Sequence, residues 1–512
     1  MKPWTLLDWL FPPRCALCGA FLWGQEKRAQ LCPACAQRER LKEGWKQGRL
    51  PFVAGSVCVY PYEGEAVSYT HLDVYKRQSL GCAKNLVNSE QMLALLRREG
   101  MEIVEDLRKA DVAIVNTCGF IDEAKQEAIN TILEEARLKE EGQLKALIAT
   151  GCLVERYKEE ILQEMPEVDA ICGTGSYTDI VLAVKGALAG RRQAYLGQSA
   201  QAALEGDRQL LTKPYSAFLR IAEGCNNHCS YCIIPALRGP FRSRPMENVL
   251  EEARALAEKG AKELLVIAQD TTRYGTDLYG KRMLPELLEG LCQIPGVEWV
   301  RLHYLYPDEL DDELLDVMEK YENAIPYFDI PMQHISDRVL SAMNRRGDGA
   351  LIRERVETIR RRFPKAVIRT SLIVGFPGET EEEFDELYRF LDEYKLERAG
   401  VFAYSQEEGT VAAQMENQIP EEEKRRRQEI LVELQDAVMD QFSQTLVGTQ
   451  QKVLCCGYDA EHEMYFGRTY MDSPDVGGIV YFYSEEPVEE GSFVTVEIEN
   501  GVGAELYGEI VG

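Results

Sequence analysis

No run of about 18 apolar residues occurs anywhere in this 512-residue sequence, so no membrane-spanning helix is expected. The opening stretch, Met1–Pro13, has only a short apolar segment, and Asp8 interrupts it. No small-residue cleavage site follows, so it does not read as a signal peptide. Positive charge is in deficit: 58 Lys and Arg stand against 85 Asp and Glu, a net −27. Such a chain repels nucleic acid unless it has a local basic patch, and it attracts basic proteins. Repeats and low-complexity segments are missing too. With 45% hydrophobic and 28% charged residues, the composition is that of folded domains with ample core material. The length suits roughly three or four such domains, and the expected location is the cytoplasm.

Cysteine is what the sequence has in quantity. Fifteen cysteines, an odd number without an export signal, argue against a disulfide framework and for metal ligation, redox chemistry or core packing. They are grouped. Cys15, Cys18, Cys32 and Cys35 form two Cys-x2-Cys pairs, and Cys225, Cys229 and Cys232 form a tight triplet. Cys82, Cys118 and Cys152 are widely spaced, each beside a glycine. Cys58, Cys172, Cys292, Cys455 and Cys456 fit no ligand spacing and read as small buried hydrophobes.

The first fifty residues carry nine Lys or Arg against four Asp or Glu, opposite in sign to the whole chain. Residues 1–64 read as a zinc-ribbon fragment. Residues 65–78, with Ser68-Tyr69-Thr70-His71-Leu72-Asp73-Val74-Tyr75-Lys76-Arg77-Gln78, fit no domain and read as an artificial junction between unrelated gene fragments. From residue 79 the text is regular. Helical spacing over Asn88–Arg98, a strand at Val112–Asn116, a helix over Glu123–Lys139, a strand at Leu147–Thr150 and a helix over Arg156–Gln163 predict a small parallel α/β domain, 79–185. A polar linker follows, 186–213. Only Val74 and Tyr75 look strand-like where a first strand of that domain belongs.

Over 214–446, candidate strands Ala217–Ala222, Glu263–Ala268, Trp299–Tyr304, Tyr327–Ile330, Val367–Val374 and Arg398–Ala403 alternate with helices such as Asn248–Lys259 and Glu381–Leu391. That predicts a partial (β/α) barrel closed by a charged helix, Glu421–Leu446. Residues 447–512 are short β segments, including Ile479–Tyr483, Phe493–Ile498 and Ala504–Ile510, and fit a small five-stranded β barrel.

Cys225, Cys229 and Cys232 lie in the loop after the first barrel strand, on the face where such barrels do chemistry. Three thiolates in one loop suit an iron–sulfur cluster with one open iron, whereas structural zinc takes four ligands. The alternative is a zinc knuckle with His228 as fourth ligand. Cys118 and Cys152 follow strands of one parallel sheet, so with Cys82 they can converge although distant in sequence. The two N-terminal pairs, thirteen residues apart, read as a closed structural zinc site.

The Cys-x3-Cys-x2-Cys triplet, with Tyr231 before its last cysteine, resembles the radical S-adenosylmethionine (SAM) enzymes. Ser371-Leu372-Ile373-Val374-Gly375-Phe376-Pro377-Gly378-Glu379 is similar to a strand and turn that contacts adenosine there, which marks Gly375. Two three-cysteine sets ahead of a small β domain resemble the methylthiotransferases. Within these, Ala268-Gln269-Asp270-Thr271-Thr272-Arg273-Tyr274-Gly275, Arg301-Leu302-His303-Tyr304-Leu305-Tyr306-Pro307, Asp329-Ile330-Pro331-Met332-Gln333-His334 and Tyr404-Ser405-Gln406-Glu407-Glu408-Gly409-Thr410 resemble the RimO branch. The resemblance implies methylthiolation of the β carbon of an aspartate in small-subunit ribosomal protein S-twelve. It implies two 4Fe-4S clusters: a radical SAM cluster on Cys225, Cys229 and Cys232, and an auxiliary cluster on Cys82, Cys118 and Cys152. One SAM then supplies a methyl group and a second a radical. Partners implied are the ribosomal protein and an electron donor such as flavodoxin or ferredoxin, with no membrane. Gln269 and Asp270 could hold SAM or substrate, or could cap the next helix.

The runner-up branch is the MiaB type, which modifies transfer RNA. Residues 447–512 contain two cations, Lys452 and Arg468, against thirteen carboxylates. A transfer-RNA grip should be basic, so nucleic acid is not the expected partner and a basic protein is. Leu10-Phe11-Pro12-Pro13-Arg14-Cys15 with the two cysteine pairs resembles the N-terminus of ComF-type proteins, without their phosphoribosyl-binding segment. A further alternative is therefore a zinc-ribbon accessory module fused to an inactive enzyme.

Overall fold

A computed structural model describes residues 74–75, 80–104, 109–460, 462–474 and 476–511. Cys15, Cys18, Cys32 and Cys35, and all of the junction except Val74–Tyr75, lie outside the described residues.

The N-terminal unit is a parallel sheet of β1 (Val74–Tyr75), β2 (Val112–Thr117), β3 (Ala146–Gly151), β4 (Ala170–Cys172) and β5 (Gln193–Tyr195), in that spatial order. Every residue of β2 and β3 is buried. Both faces are covered, which is why these strands read as unbroken apolar runs. Val74 and Tyr75 pair with Val112 and Ala113, so a two-residue strand occupies the edge where the sequence promised little. At the other edge β5 takes in residues assigned above to the linker; three mostly exposed residues carry no periodic signal. The helix expected over 156–163 is two, Cys152–Tyr157 and Glu159–Glu164, because Lys158 adopts φ +48° and ends the first.

The second unit is a six-stranded parallel sheet, the partial barrel: β6 (Ser216–Arg220), then a short antiparallel pair β7 (Ala222–Glu223) and β8 (Arg242–Ser243), and β9 (Glu263–Ile267), β10 (Trp299–Leu302), β11 (Ala324–Asp329), β12 (Val367–Val374) and β13 (Arg398–Ala403). Its order is β6-β9-β10-β11-β12-β13. Ala217, Leu219, Leu264 and Val266 pack with the surrounding helices in the main core. The alternate residues Phe218, Leu265 and Ile267 face the other way, as the two-residue period of a strand requires. They are covered by Ala83, Leu86 and Val87 at the start of helix Ala83–Arg98. That helix is a seam: Met92 and Leu96 pack on the N-terminal sheet while Val87 packs on the barrel. Its buried polar residues bridge across, Glu90 accepting from Arg208 at 2.6 Å and Gln91 from Arg220 at 2.9 Å. Lys125 and Arg156 of the N-terminal unit both reach Glu407 of the barrel, at 2.7 and 2.8 Å.

Helix Glu421–Leu446 leads into a closed barrel of β14 (Gln450–Asp459), β15 (Met464–Arg468), β16 (Val480–Tyr483), β17 (Phe493–Val502) and β18 (Glu505–Ile510), in the order β14-β15-β16-β18-β17. It docks through buried charge. Glu263 accepts from Arg301 at 3.0 Å and from Arg468 at 2.6 Å, and Arg398 pairs with Asp472 at 2.8 Å. Among the described residues no helix is long and apolar enough to cross a membrane.

Candidate functional site

The three dispersed cysteines meet at one edge of the N-terminal sheet. Cys118 follows β2, Cys152 begins the helix directly after β3, and Cys82 precedes helix Ala83–Arg98. Asn85 ties two of these loops, donating from Nδ2 to the carbonyls of Leu80 and Thr117, both at 3.0 Å. Gly81 makes the approach possible. At φ +95° a Cβ there would stand 2.8 Å from Cys118 Cβ and 3.0 Å from its Sγ. The thiols sense one another. Burial pushes Cys118 up to about 12, with the charges of Cys152 and Cys82 adding to the rise. Burial likewise raises Cys152, against the pull of Arg238. The surrounding protein would raise Cys82 too, although the residue as a whole is exposed. Lys84, Arg238 and the backbone N–H groups of Asn85 and Lys84 outweigh it and hold that thiol below its ordinary value.

Cys225, Cys229 and Cys232 lie in the loop after β7. The loop is fixed by backbone bonds: Cys225 N–H to Gly239 at 3.2 Å, Ser230 N–H to Met343 at 2.9 Å and Cys232 N–H to Cys229 at 3.0 Å. Burial lifts Cys225 to about 11 and raises Cys232 as well, with Cys229 adding to both. Arg345 stands 3.7 Å from Cys229 Sγ, donates to the Pro331 carbonyl and covers the Tyr306 ring at 4.3 Å. His228 is exposed, with φ +50°. Among the described residues no three His, Cys, Asp or Glu side chains close on a point as a single ion requires. A cluster spreads its ligands over several irons and does not require that.

A buried chain of charge joins the two triplets. Arg238 reaches across the seam to Cys152 Sγ at 3.3 Å and to the Oδ1 atoms of Asn85 and Asn88. It also pairs at 3.4 Å with Glu223, two residues before Cys225. Arg220 pairs with the same carboxylate at 3.0 Å, and Gln269 donates to it. Burial alone would raise Glu223; Arg238 and Arg220 hold it below the usual carboxylate range. Beside this chain, Lys84 Nζ lies 3.6 Å from the centre of the Tyr304 ring. Tyr304 has φ +59°, a conformation that costs a bulky residue about 1–3 kcal/mol. None of Arg238, Glu223, Arg345 and Lys84 was picked out from the sequence. Arg238 acts through Cys152 and Asn85, 86 and 153 positions away, and no local spacing signals such pairings.

The residues expected to contact SAM divide. Gln269 Oε1, Thr271 Oγ1 and Asn227 Oδ1 are buried beside the second triplet without hydrogen-bond partners, capacity that an amino-acid ligand can use. Asp270 is satisfied by Asn227 at 2.8 Å and Thr272 at 2.6 Å. Neither Gln269 nor Asp270 caps a helix; the next begins at Thr276 with Gly275 at its cap. Gly375 has a reason within the protein: at φ +72° its Cβ would run into Lys424. In the C-terminal barrel Arg468 is buried against Glu263, whereas Lys452 makes an exposed pair with Glu298 at 2.7 Å.

Comparison with known families matches residues 219–391 to the radical SAM superfamily, 75–173 to the uncharacterized protein family UPF0004, 447–511 to the TRAM domain and 6–44 to the double zinc ribbon domain. Among curated proteins, the ribosomal protein uS12 methylthiotransferase RimO of Lachnoclostridium phytofermentans is 47% identical over 84% of this chain and 98% of its own. The RimO proteins of Pelotomaculum thermopropionicum and Clostridioides difficile are 49% and 46% identical over 85% of this chain and 98% of theirs. Among solved structures, the radical SAM methyltransferase TsrM from Kitasatospora setae aligns with TM-score 0.48 and 14% identity, over 64% of this chain and 72% of its own.

Proposed function

This chain belongs to the RimO family of radical SAM methylthiotransferases, and from that premise we propose that it adds a methylthio group to the β carbon of an aspartate in ribosomal protein uS12, the small-subunit protein S-twelve. The observation that carries the reading is the pair of three-thiol sites on two domains, joined by the buried Arg238–Glu223 link. When bound, two 4Fe-4S clusters and SAM supply the one-electron chemistry, methyl group and sulfur that side chains lack.

The chain's own residues hold, orient and exclude water. Cys82, Cys118 and Cys152 hold the auxiliary cluster, and Cys225, Cys229 and Cys232 the radical SAM cluster. Arg238 beside Cys152 and Arg345 beside Cys229 place a cation against each thiolate set, favouring the ionised ligands. Gln269, Thr271 and Asn227 offer buried acceptors to the amino group of SAM. Helix Ala83–Arg98, clamped between sheet and barrel, fixes one site against the other, as a transfer between them requires. A small electron carrier of the flavodoxin or ferredoxin kind serves as reductant, and the ribosomal substrate places the enzyme in the cytoplasm. Residues 1–64 add a zinc-ribbon module through Cys15, Cys18, Cys32 and Cys35.

A protein substrate is favoured over transfer RNA because residues 447–512 set two cations against thirteen carboxylates, and one of the two, Arg468, is buried against Glu263 of the central domain. Mass spectrometry of uS12 from cells with and without this chain should show a methylthio-bearing aspartate only in the first. Binding to uS12 should weaken steeply with salt. Tight, salt-resistant binding to transfer RNA would sink the choice of branch.

A further inference from the structure

The segment Tyr404-Ser405-Gln406-Glu407-Glu408-Gly409-Thr410 follows β13, the last strand of the partial barrel, and contains no cysteine. At its centre Glu407 is only 2% exposed. Its Oε2 accepts from Lys125 at 2.7 Å and from Arg156 at 2.8 Å, both of the N-terminal unit, and its Oε1 accepts from the Ser405 hydroxyl at 2.7 Å. Arg156 also donates to two carbonyls, each at 2.9 Å: that of Gly119, next to Cys118, and that of Glu408. The Thr410 hydroxyl turns back to the Glu407 carbonyl at 2.7 Å. Two residues on, the same stretch is bonded to the other thiol site. The Ala412 N–H donates to the carbonyl of Ser230, between Cys229 and Cys232, at 2.8 Å, and Ala412 packs in one cluster with Tyr404 and Tyr231. Residues 404–412 are therefore a strap from the Cys118 loop to the Cys225–Cys232 loop, separate from the Arg238–Glu223 link. One connection between two bodies leaves them free to turn about it; a second fixes their orientation as well.

We propose that Glu407 is a positioning residue for the transfer: through Arg156 on one side and the turn to Ala412 on the other, its carboxylate holds the two thiol loops at one separation and angle. This rests on the functional reading above and deepens it. Glu407 touches no reacting group and acts through the loops it ties. Two cations converge on one buried oxygen, which a full negative charge holds and a neutral amide does not. Transfer between two sites needs them in register, and a displacement of about 1 Å can cost about a hundredfold in rate. With register lost, SAM is still cleaved at the second triplet but uS12 is not modified, so the two events come apart.

The test uses the full chain carrying both clusters, as native protein, E407Q and R156K. E407Q keeps the shape and removes the charge that gathers Lys125 and Arg156. R156K keeps a cation for Glu407, but a compact ammonium cannot replace the planar fork that also holds the Gly119 and Glu408 carbonyls. Three quantities are read: iron per chain, the 5′-deoxyadenosine released per uS12 modified, and the spin–spin interaction between the two reduced clusters by electron paramagnetic resonance. In both variants iron and SAM cleavage without uS12 should match the native chain. The 5′-deoxyadenosine released per uS12 modified should rise about tenfold to a hundredfold, and the spin–spin interaction should change. An unchanged ratio, a raised ratio with an unaltered spin–spin interaction, or a fall in modification that in both variants only follows loss of iron overturns the assignment. If the iron-loaded native chain cleaves SAM but modifies no uS12, the functional reading itself falls, and this one with it.

Discussion

At the scale of single residues, the auxiliary thiols depend on a missing side chain. Gly81 combines φ +95° with a Cβ position 2.8 Å from Cys118 Cβ. Gly81→Ala carries a backbone cost of about 1–3 kcal/mol and must also push the Cys82 and Cys118 loops apart. Iron per chain should fall toward that of a single cluster, with peptide-independent SAM cleavage retained because Cys225, Cys229 and Cys232 are untouched; iron analysis and electron paramagnetic resonance read both. Undiminished iron would show that the close approach at Gly81 is not what holds the site together. The glycine beside each cysteine was legible in the sequence as a pattern, but its purpose at Gly81 was not, because Cys118 lies 37 positions away. For Gly375 the order is reversed: the sequence suggested a ligand, and the structure supplies Lys424 as the neighbour that excludes a side chain.

At the scale of elements, β9 anchors the C-terminal barrel through Glu263. Burial would raise this carboxyl, but Arg468 and Arg301 overcome it and hold it at about 2, against 4.5 for the free group. A depressed folded value means that the stabilisation is complete above about pH 4.5 and lost as pH falls toward 2. The shift corresponds to about 3 kcal/mol. The C-terminal barrel should therefore loosen from the central domain over that range, and Glu263→Gln should show reduced stability already at neutral pH and a flatter acid limb in denaturation curves. An identical acid limb in the variant would exclude Glu263 as the anchor. The strands themselves were legible: Val367–Val374 and Arg398–Ala403 occupy the predicted bounds, although only two of the six residues of the second are buried. The Arg468–Glu263 contact was not, because a charged residue in a sequence does not say which distant charge it will meet.

At the scale of the whole molecule, the family match covers about 85% of the chain and leaves out the N-terminal cysteine pairs, which match a double zinc ribbon on their own. A chain lacking residues 1–64 should lose zinc and keep its iron, SAM cleavage and uS12 modification, as metal analysis and mass spectrometry can show. The cut belongs ahead of Val74, because Val74 and Tyr75 pair with β2. If removal of 1–64 abolished modification, the zinc ribbon would be part of the enzyme.

The sequence by itself determined the chemistry available. Cysteine grouping and strand-end position marked the candidate metal ligands, apolar periodicity marked the strands, and the thirteen carboxylates against two cations in the last domain set the expected sign of its partner. All three are carried by residue type and short-range spacing. Only the tertiary structure decided how the two thiolate sites are coupled. Helix Ala83–Arg98 lies between two domains and places Lys84, Asn85 and Asn88 against residues of the barrel, Arg238 and Tyr304 among them. Burial then turns ordinary surface-type residues into charges that must find partners. Which partner each one finds is a property of the folded interior, where water no longer screens or satisfies it.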